Sequence, residues 1–487
     1  MRENSTRAAA LKRYALWLAA SLGMWLIAPS GSAQTSVPAA APSAAQPVAQ
    51  TVKGPDDRMK ADILLVVAHP DDEGGATPYL ARAIFDEHKR VAVVYTTRGG
   101  SGGNDYSREH GPALADIREQ EARRACAMMG IENVWFLQGK DTASQNVLNS
   151  LGNWGHGANL EELVRIVRLT RPEVIITWLP GVFVGEDHGD HQAAGVLATE
   201  AFDSANDPTA FPSQIAGASK RLELYLENLG PWQPKRIYYF SDADDQNQFA
   251  GTGPAYSVKE ISPAKKKPYW VLALLAGAPH LTQFAEAAAL SKMSDEQLAK
   301  FVEDPNNMFW PEPMVLTFGK SVTALSAVAP IFAGEATVKQ TAASANSSRT
   351  VAEGASAVSL AGPWAYYREF RRAHKLENLP LPAEGPEIAV KPGSVLQIPY
   401  TLKHSATGSQ EFNVKVAAPA GWTVASGAGL LRLPQEESTA LQVEVKTPEG
   451  PATSVPAPVE ITVEQNGQAL GTVRLLVKLK TSGVLPQ

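Results

Sequence analysis

Between residues 61 and 240 short apolar runs alternate with longer segments of helical character, and this alternation limits the fold more than any other feature of the chain. Asp62-Ile63-Leu64-Leu65-Val66-Val67-Ala68 is apolar after its first residue, the pattern of a parallel strand covered on both faces. Arg90–Thr96, Asn133–Leu137, Val174–Leu179 and Arg236–Phe240 repeat it. Helices are expected at Gly74–His88, Pro112–Met129 (ended by Gly130), Asn159–Thr170 and His191–Ala205. Strand and helix in turn imply an α/β fold with a doubly wound, Rossmann-like parallel sheet. The expected strand order is 3-2-1-4-5, with the switch point between the first and fourth strands.

The ends of the chain differ from this middle. Arg2, Arg7, Lys12 and Arg13 precede an apolar run from Tyr14 to Ala28, and Gly31-Ser32-Ala33 closes it. That is the build of a signal peptide over residues 1–33, cleaved after Ala33, and the run is shorter than the roughly 20 residues that span a bilayer. The expected protein is therefore exported, periplasmic or secreted, without a stable membrane span after cleavage. Residues 34–57 are rich in Ala, Pro, Ser and Gln and read as a flexible linker. The main domain is placed at 58–378, with a long elaboration after about 241 that includes a helix-like stretch from Leu281 to Val302, a loop from Ala342 to Ala357 and a helix from Trp364 to Lys375. Pro380 and Pro382 mark a break, and residues 386–487 carry period-two runs at Val395–Tyr400, Glu411–Val416, Ala440–Val445 and Val473–Val477. These predict a β-sandwich. The turn Pro419-Ala420-Gly421-Trp422 resembles those of Ig-like sandwiches appended to bacterial glycan enzymes.

A net charge of −6 and a pI near 5.9 argue against a nucleic-acid partner, which calls for a clustered basic excess. Cys126 is the single cysteine, so there is no intrachain disulfide and no thiolate metal site.

Two clusters carry chemistry, each just beyond the C-terminal end of a central strand: His69-Pro70-Asp71-Asp72-Glu73 and His188-Gly189-Asp190-His191. Ligands of open α/β sheets bind at such ends beside the switch point, so the two loops should meet. Asp71, Asp72, Glu73 and Asp190 would then crowd together with three imidazoles, and a divalent cation relieves that repulsion. Imidazole and carboxylate without thiol suit zinc, held by two His and one Asp with a position open for water. Either cluster alone reads as readily as a solvated turn or a helix start. No Gly-x-Ser-x-Gly elbow follows a strand, so Ser-His-Asp catalysis lacks support.

Ala68-His69-Pro70-Asp71-Asp72-Glu73 after an apolar strand, followed later by His188-Gly189-Asp190-His191, resembles the PIG-L (LmbE-like) deacetylase family, with Thr97-Arg98-Gly99-Gly100, Arg118-Glu119-Gln120-Glu121 and Phe136-Leu137 leading to Asp141 between them. The resemblance covers Met59 to Ala205. It implies a zinc-dependent hydrolase that removes an acetyl or related acyl group from an N-acetylglucosamine-type amino sugar or glycoconjugate. By the same resemblance His69, Asp72 and His191 become the metal ligands, Asp71 the base, His188 the oxyanion stabiliser or acid, Asp190 its orienter, and Arg118 and Asp141 the substrate contacts. Gly189 stands where the family often has Pro or Ser, and glycine widens backbone freedom there. His₂Asp sites also accept iron, cobalt or manganese.

Gly99–Gly103 reads as a substrate-side loop, lacking the Lys-Ser/Thr of a phosphate cradle. His110 and His156 read as solvated loop residues, and Trp154, Phe183 and Trp232 as core rather than sugar-stacking aromatics. Two rivals remain: a zinc amidase acting on a thiol conjugate or lipid-linked sugar, and a non-catalytic envelope glycan-binding protein.

Overall fold

The computed structural model describes residues 55–181, 188–216, 227–241, 251–284, 287–290, 292–304, 307, 309–334, 357–379, 385–404, 408–434, 438–453 and 455–480. The expected signal peptide, Phe183 and the expected loop over 342–356 lie outside them. Among the described residues no helix is long and apolar enough to cross a membrane.

The first half runs β1 (Ile63–Val67), α1 (Thr77–Phe85), β2 (Val91–Tyr95), α2 (Pro112–Met128), β3 (Asn133–Phe136), α3 (Val147–Trp154), α4 (His156–Thr170), β4 (Val174–Trp178), α5 (Gly189–Ser204) and β5 (Arg236–Phe240). Every residue of β1, β2, β4 and β5 is buried, as continuous apolar runs require of strands covered on both faces. These strands and β3 pair in parallel in the order β3-β2-β1-β4-β5, the expected one, and β1 and β4 face each other from Ile63↔Val174 to Val66↔Thr177.

Two local differences bear on the site. Helix α3 had no expectation; Asn146 caps its start by accepting Leu148 N at 3.0 Å, and Gly155, at φ 67°, ends it before α4 begins. Helix α5 starts two residues earlier than expected, because the His188 ring acts as its N-cap. Asp190 and His191 therefore sit in its first turn.

The elaboration adds β6 (Ala255–Tyr256), α6 (Tyr269–Gly277), α7 (Ala287–Leu290), α8 (Asp295–Glu303), β7 (Met314–Val315) and β8 (Thr317–Ser321). The helix expected over 281–302 is broken, since Ser294 forms a capping box with Gln297 and opens α8 as a separate helix. Strand β8 runs antiparallel to β5 and makes the sheet six-stranded, an addition to the expected five. Trp270, Val271 and Leu274 of α6 join the core of the sheet unit.

Then come β9 (Val358–Leu360), α9 (Pro363–Ala373), β10 (Glu387–Val390), β11 (Val395–Lys403), β12 (Gln410–Ala417), β13 (Thr423–Ser426), β14 (Gly429–Leu433), β15 (Ser438–Lys446), β16 (Ala457–Gln465) and β17 (Gln468–Leu479). They form sheets β10-β17-β16-β12-β14 and β13-β15-β11-β9, whose inward residues, such as Ile398, Val443, Phe412 and Ile461, share one core. This unit starts earlier than the proline break suggested. Strand β9 pairs with β11 from Tyr400↔Leu360 to Leu402↔Val358, and Trp364 of α9 lies in the same core. Tyr367 and Phe370, three and six residues farther along α9, belong instead to the core of the α/β unit. A three-residue strand leaves too short an alternation to be read from sequence. The units also meet at Gln145, whose side chain accepts Ala389 N of β10 at 3.0 Å and donates to Ala389 O.

Candidate active site

Strand β1 delivers the chain to His69, where it turns sharply through Pro70 and Asp71 into a 3₁₀ turn over Asp72–Gly75. Asp71 has φ 103°, a conformation disfavoured for a residue with a Cβ and held only where surroundings dictate it. Its N–H donates to Glu73 Oε2 at 3.0 Å. The Asp72 side chain folds back on the strand end, so that Oδ2 accepts Ala68 N at 2.9 Å and His69 N at 2.8 Å. The same oxygen accepts Trp178 Nε1 at 2.9 Å from the end of β4. Oδ1 lies 3.3 Å from His191 Nε2. That ring is stacked on the Trp178 indole, with centroids 4.2 Å apart and planes at 7°.

At the head of α5, Asp190 N donates to His188 Nδ1 at 3.2 Å. A backbone N–H can only donate, so in neutral His188 the proton sits on Nε2, leaving a ring donor available to a ligand. The fully buried Asp190 carboxylate turns elsewhere: Oδ2 accepts Thr142 N at 2.8 Å and lies 3.4 Å from His69 Nε2. Its link to His188 thus runs through its backbone N–H, not through a carboxylate–imidazole hydrogen bond. His69 lies 4.5 Å from His188 and 5.2 Å from His191 between ring centroids.

The ligand atoms of His69, Asp72 and His191 lie within 4.8 Å of one another, as do those of His69, His188 and Asp190. The first set is the one the resemblance implies. Its donors, two imidazoles and a carboxylate with one oxygen already saturated, fit a divalent cation with a position left for water. Burial opposes the Asp72 charge, yet His191 and His69 hold its carboxyl well below the usual range. Burial, reinforced by Asp72 and Glu73, pushes the neighbouring Asp71 carboxyl up to about 7. Burial, with His69 and His191 alongside, lowers His188 well below an ordinary imidazole. A bound cation would favour the ionised carboxylates and reverse part of this balance.

Two residues expected to touch substrate sit differently from each other. Asp141 lines the cavity; its Oδ2 accepts Ser101 N at 2.7 Å and its Oδ1 lies 3.4 Å from His69 Nε2. Arg118 also lines it, but its guanidinium donates to Gly99 O and Gly103 O, both at 2.7 Å, and to Thr282 Oγ1 at 3.3 Å. It shapes the glycine loop; a Cβ at Gly102 would come within 2.5 Å of its Nη1.

His156 opens α4 rather than lying in a loop, and pairs with Glu200 at 2.5 Å, while His110 is exposed. Trp154 is core, and Trp232 Nε1 donates to Pro172 O at 2.7 Å. Gly189 does not loosen its loop. Its N–H donates to Ser144 O at 2.6 Å, and a Cβ there would lie 2.9 Å from Asn146 C, Ser144 O and Ser150 Oγ.

Trp178, Thr142 and His280 were missed by sequence reading. Trp178 ends a strand already placed at the site, so its position was the available signal; His280 and Thr142 gave none. His280 Nε2 lies 2.6 Å from Glu73 Oε1, both residues buried. The cavity over these groups measures about 1620 Å³, with His69, Asp71, Asp72 and His191 lining its polar part and Leu274, Met293, Phe301 and Trp310 of the elaboration among its apolar lining.

Residues 64–202 match the family described as PIG-L: GlcNAc-PI de-N-acetylase. The 1D-myo-inositol 2-acetamido-2-deoxy-alpha-D-glucopyranoside deacetylase 1 of Frankia alni is 32% identical over 188 residues, 35% of this chain and 59% of that relative. Deacetylase 2 of the same organism is 30% identical over 209 residues, 39% of this chain and 69% of the relative. The chain thus spans about three fifths to two thirds of the length of these curated relatives. Among solved structures, N,N'-diacetylchitobiose deacetylase from Pyrococcus horikoshii aligns over 54% of this chain and 85% of its own, at 18% identity and a TM-score of 0.35.

Proposed function

Because the chain belongs to the PIG-L family, we propose that it is a zinc-dependent de-N-acetylase that removes the acetyl group of an N-acetylglucosamine-type amino sugar. The observation that carries this reading is the convergence of His69, Asp72 and His191, from the ends of β1 and the head of α5, on one point of a large cavity. Zinc held by those three residues would supply a Lewis acid for the amide carbonyl and a water of lowered pKa. Asp71, beside the ligands and facing the cavity, accepts the proton of the attacking water. His188, with its Nδ1 committed to the Asp190 N–H, offers Nε2 to the oxygen that gains charge, or to the leaving amine. Asp190 fixes that ring through its backbone and steadies His69 through its carboxylate. Asp141 borders substrate directly, and Arg118 acts on it through the Gly99–Gly103 loop.

The same reading takes residues 1–33 as an export signal cleaved after Ala33, and the two C-terminal sheets as an appended Ig-like sandwich. The test uses mature chain from Gln34, purified, stripped with a chelator and reloaded with zinc. Acetate and free amine released from N-acetylglucosaminides are measured beside a panel of other N-acyl amides. Acetate release that disappears on chelation and returns with zinc is expected. Zinc-loaded protein that cleaves only a non-sugar amide would replace the substrate in this reading. Cleavage of nothing in either panel would overturn the enzymatic reading in favour of a glycan-binding role.

A further inference from the structure

One short segment of the elaboration reaches two of the loops around the candidate ligands, the Pro70–Glu73 turn and the loop that carries Asp105. Beyond α6 the chain passes through His280–Gln283. His280, 1% exposed, places Nε2 2.6 Å from Glu73 Oε1. Thr282, fully buried, donates N and Oγ1 to the two oxygens of Glu121 on α2, at 3.1 and 2.6 Å. It also accepts Arg118 Nε at 3.3 Å, and its carbonyl accepts Asp105 N at 3.0 Å. Gln283 Nε2 donates to Pro70 O. The other oxygen of Glu73 accepts Asp71 N at 3.0 Å.

A buried relay therefore runs from His280 through Glu73 to the backbone of Asp71, the residue with φ 103°. A second contact, from Gln283, holds the preceding peptide at Pro70. Sterics alone would move Asp71 out of this conformation, so something must over-determine it. The local turn contributes Gly74 N to Asp71 O at 2.8 Å. The non-local part comes from this segment.

We propose that His280–Gln283 is a strap that sets the Pro70–Glu73 turn, and that His280 is a positioning residue aiming the Asp71 carboxylate into the cavity. This rests on the reading of Asp71 as the base. His280 does not reach the ligand set itself; its partner is Glu73, and it acts through the hydrogen bond that Glu73 makes to Asp71. A displacement of about 1 Å at a reacting group costs up to about 100-fold in rate, so the strap matters to turnover more than to binding.

The test compares full-length wild type, His280→Ala, His280→Gln and Gln283→Ala. Bound zinc, kcat and KM on an N-acetylglucosaminide, and amide hydrogen exchange of the peptide covering residues 69–75 are measured. In His280→Ala, kcat should fall by about 10–100-fold with KM within about twofold and zinc unchanged. Exchange across 70–74 should speed up. His280→Gln, whose amide can donate to Glu73, should recover most of both. Gln283→Ala should shift both readouts in the same direction by less, and it carries the test with His280→Gln if His280→Ala fails to fold. Unchanged kcat and exchange in His280→Ala would overturn the proposal, as would equal damage in the Ala and Gln variants, or activity lost only in proportion to lost zinc. A wild type inactive on every amino sugar defeats the proposed function instead, and the exchange data still judge the strap.

Discussion

Asp72→Asn has the outcome most tightly fixed by geometry. In the native site Oδ2 accepts three N–H groups, from Ala68 at 2.9 Å, His69 at 2.8 Å and Trp178 at 2.9 Å, while Oδ1 faces His191 Nε2 at 3.3 Å. Asparagine offers one oxygen and one NH₂ group. Placing the NH₂ at the Oδ2 position would strand three buried donors at about 1–3 kcal/mol each, roughly 3–9 kcal/mol in all. The oxygen therefore takes that position, and the NH₂ lands where a cation needs a lone pair. Metal affinity should fall by more than the about 10–100-fold that losing an outer partner costs. Asp71→Asn should differ, because the Asp71 side chain makes none of those bonds. It should keep its metal and lose about 10²–10⁴-fold in turnover, some 3–5 kcal/mol of barrier. The assay is zinc per chain after dialysis against limiting metal, beside acetate release. One zinc per chain in Asp72→Asn would refute the reasoning, and zinc loss confined to Asp71→Asn would exchange the two roles.

Gly189→Ala puts a Cβ 2.9 Å from the backbone of Ser144 and Asn146, so it should destabilise the fold by about 1–3 kcal/mol despite alanine's better helix propensity. Urea unfolding checks it, and an unchanged midpoint would contradict the close approach. Gln145→Ala leaves the buried Ala389 N–H and C=O without their partner and should cost about 1–3 kcal/mol by the same measurement. An unshifted midpoint there would mean that the two units are not joined through this contact. The Glu200 carboxylate raises the pKa of His156, so their pair stabilises the fold below the free imidazole's pKa and stops doing so as pH rises through the raised value. Glu200→Gln should therefore lower the melting temperature at about pH 5.5 and have less effect at about pH 9. An equal loss at both would assign the contact to packing.

What could be read in advance follows from how local each signal is. The central strands are runs of consecutive apolar residues, and His69, Asp71, Asp72, His188 and His191 follow their ends, so fold topology brought the clusters together before any distance was known. Strand β8, Thr317-Phe318-Gly319-Lys320-Ser321, has no such run; among the described strands it ends the sheet beside β5, and its polar residues and glycine conceal it. Trp178 falls within the expected strand Val174–Leu179, but its indole N–H serves Asp72 from the neighbouring strand end, a role that exists only once the strands are adjacent. His280 stands 207 positions from the glutamate it holds, and no local pattern can announce such a pair.

Gly189 shows the same limit from the other side. Taken alone, a glycine beside His188 suggests a loose loop, because glycine has the widest backbone freedom. In the fold its missing side chain does the reverse. The 144–146 segment closes to within 2.9 Å of where a Cβ would be, and Ser144 O takes the Gly189 N–H at 2.6 Å. That contact seats the segment whose Thr142 N–H holds the Asp190 carboxylate, and the same carboxylate lies 3.4 Å from His69 Nε2. A glycine at the head of α5 thus steadies a candidate ligand at the end of β1 through Ser144, Thr142 and Asp190. Proline at 189 would remove that N–H, and serine would add an atom where the 144–146 segment leaves no room. The choice of glycine here follows from the path of this neighbouring loop, so a chain with another residue at this position must carry the loop farther away.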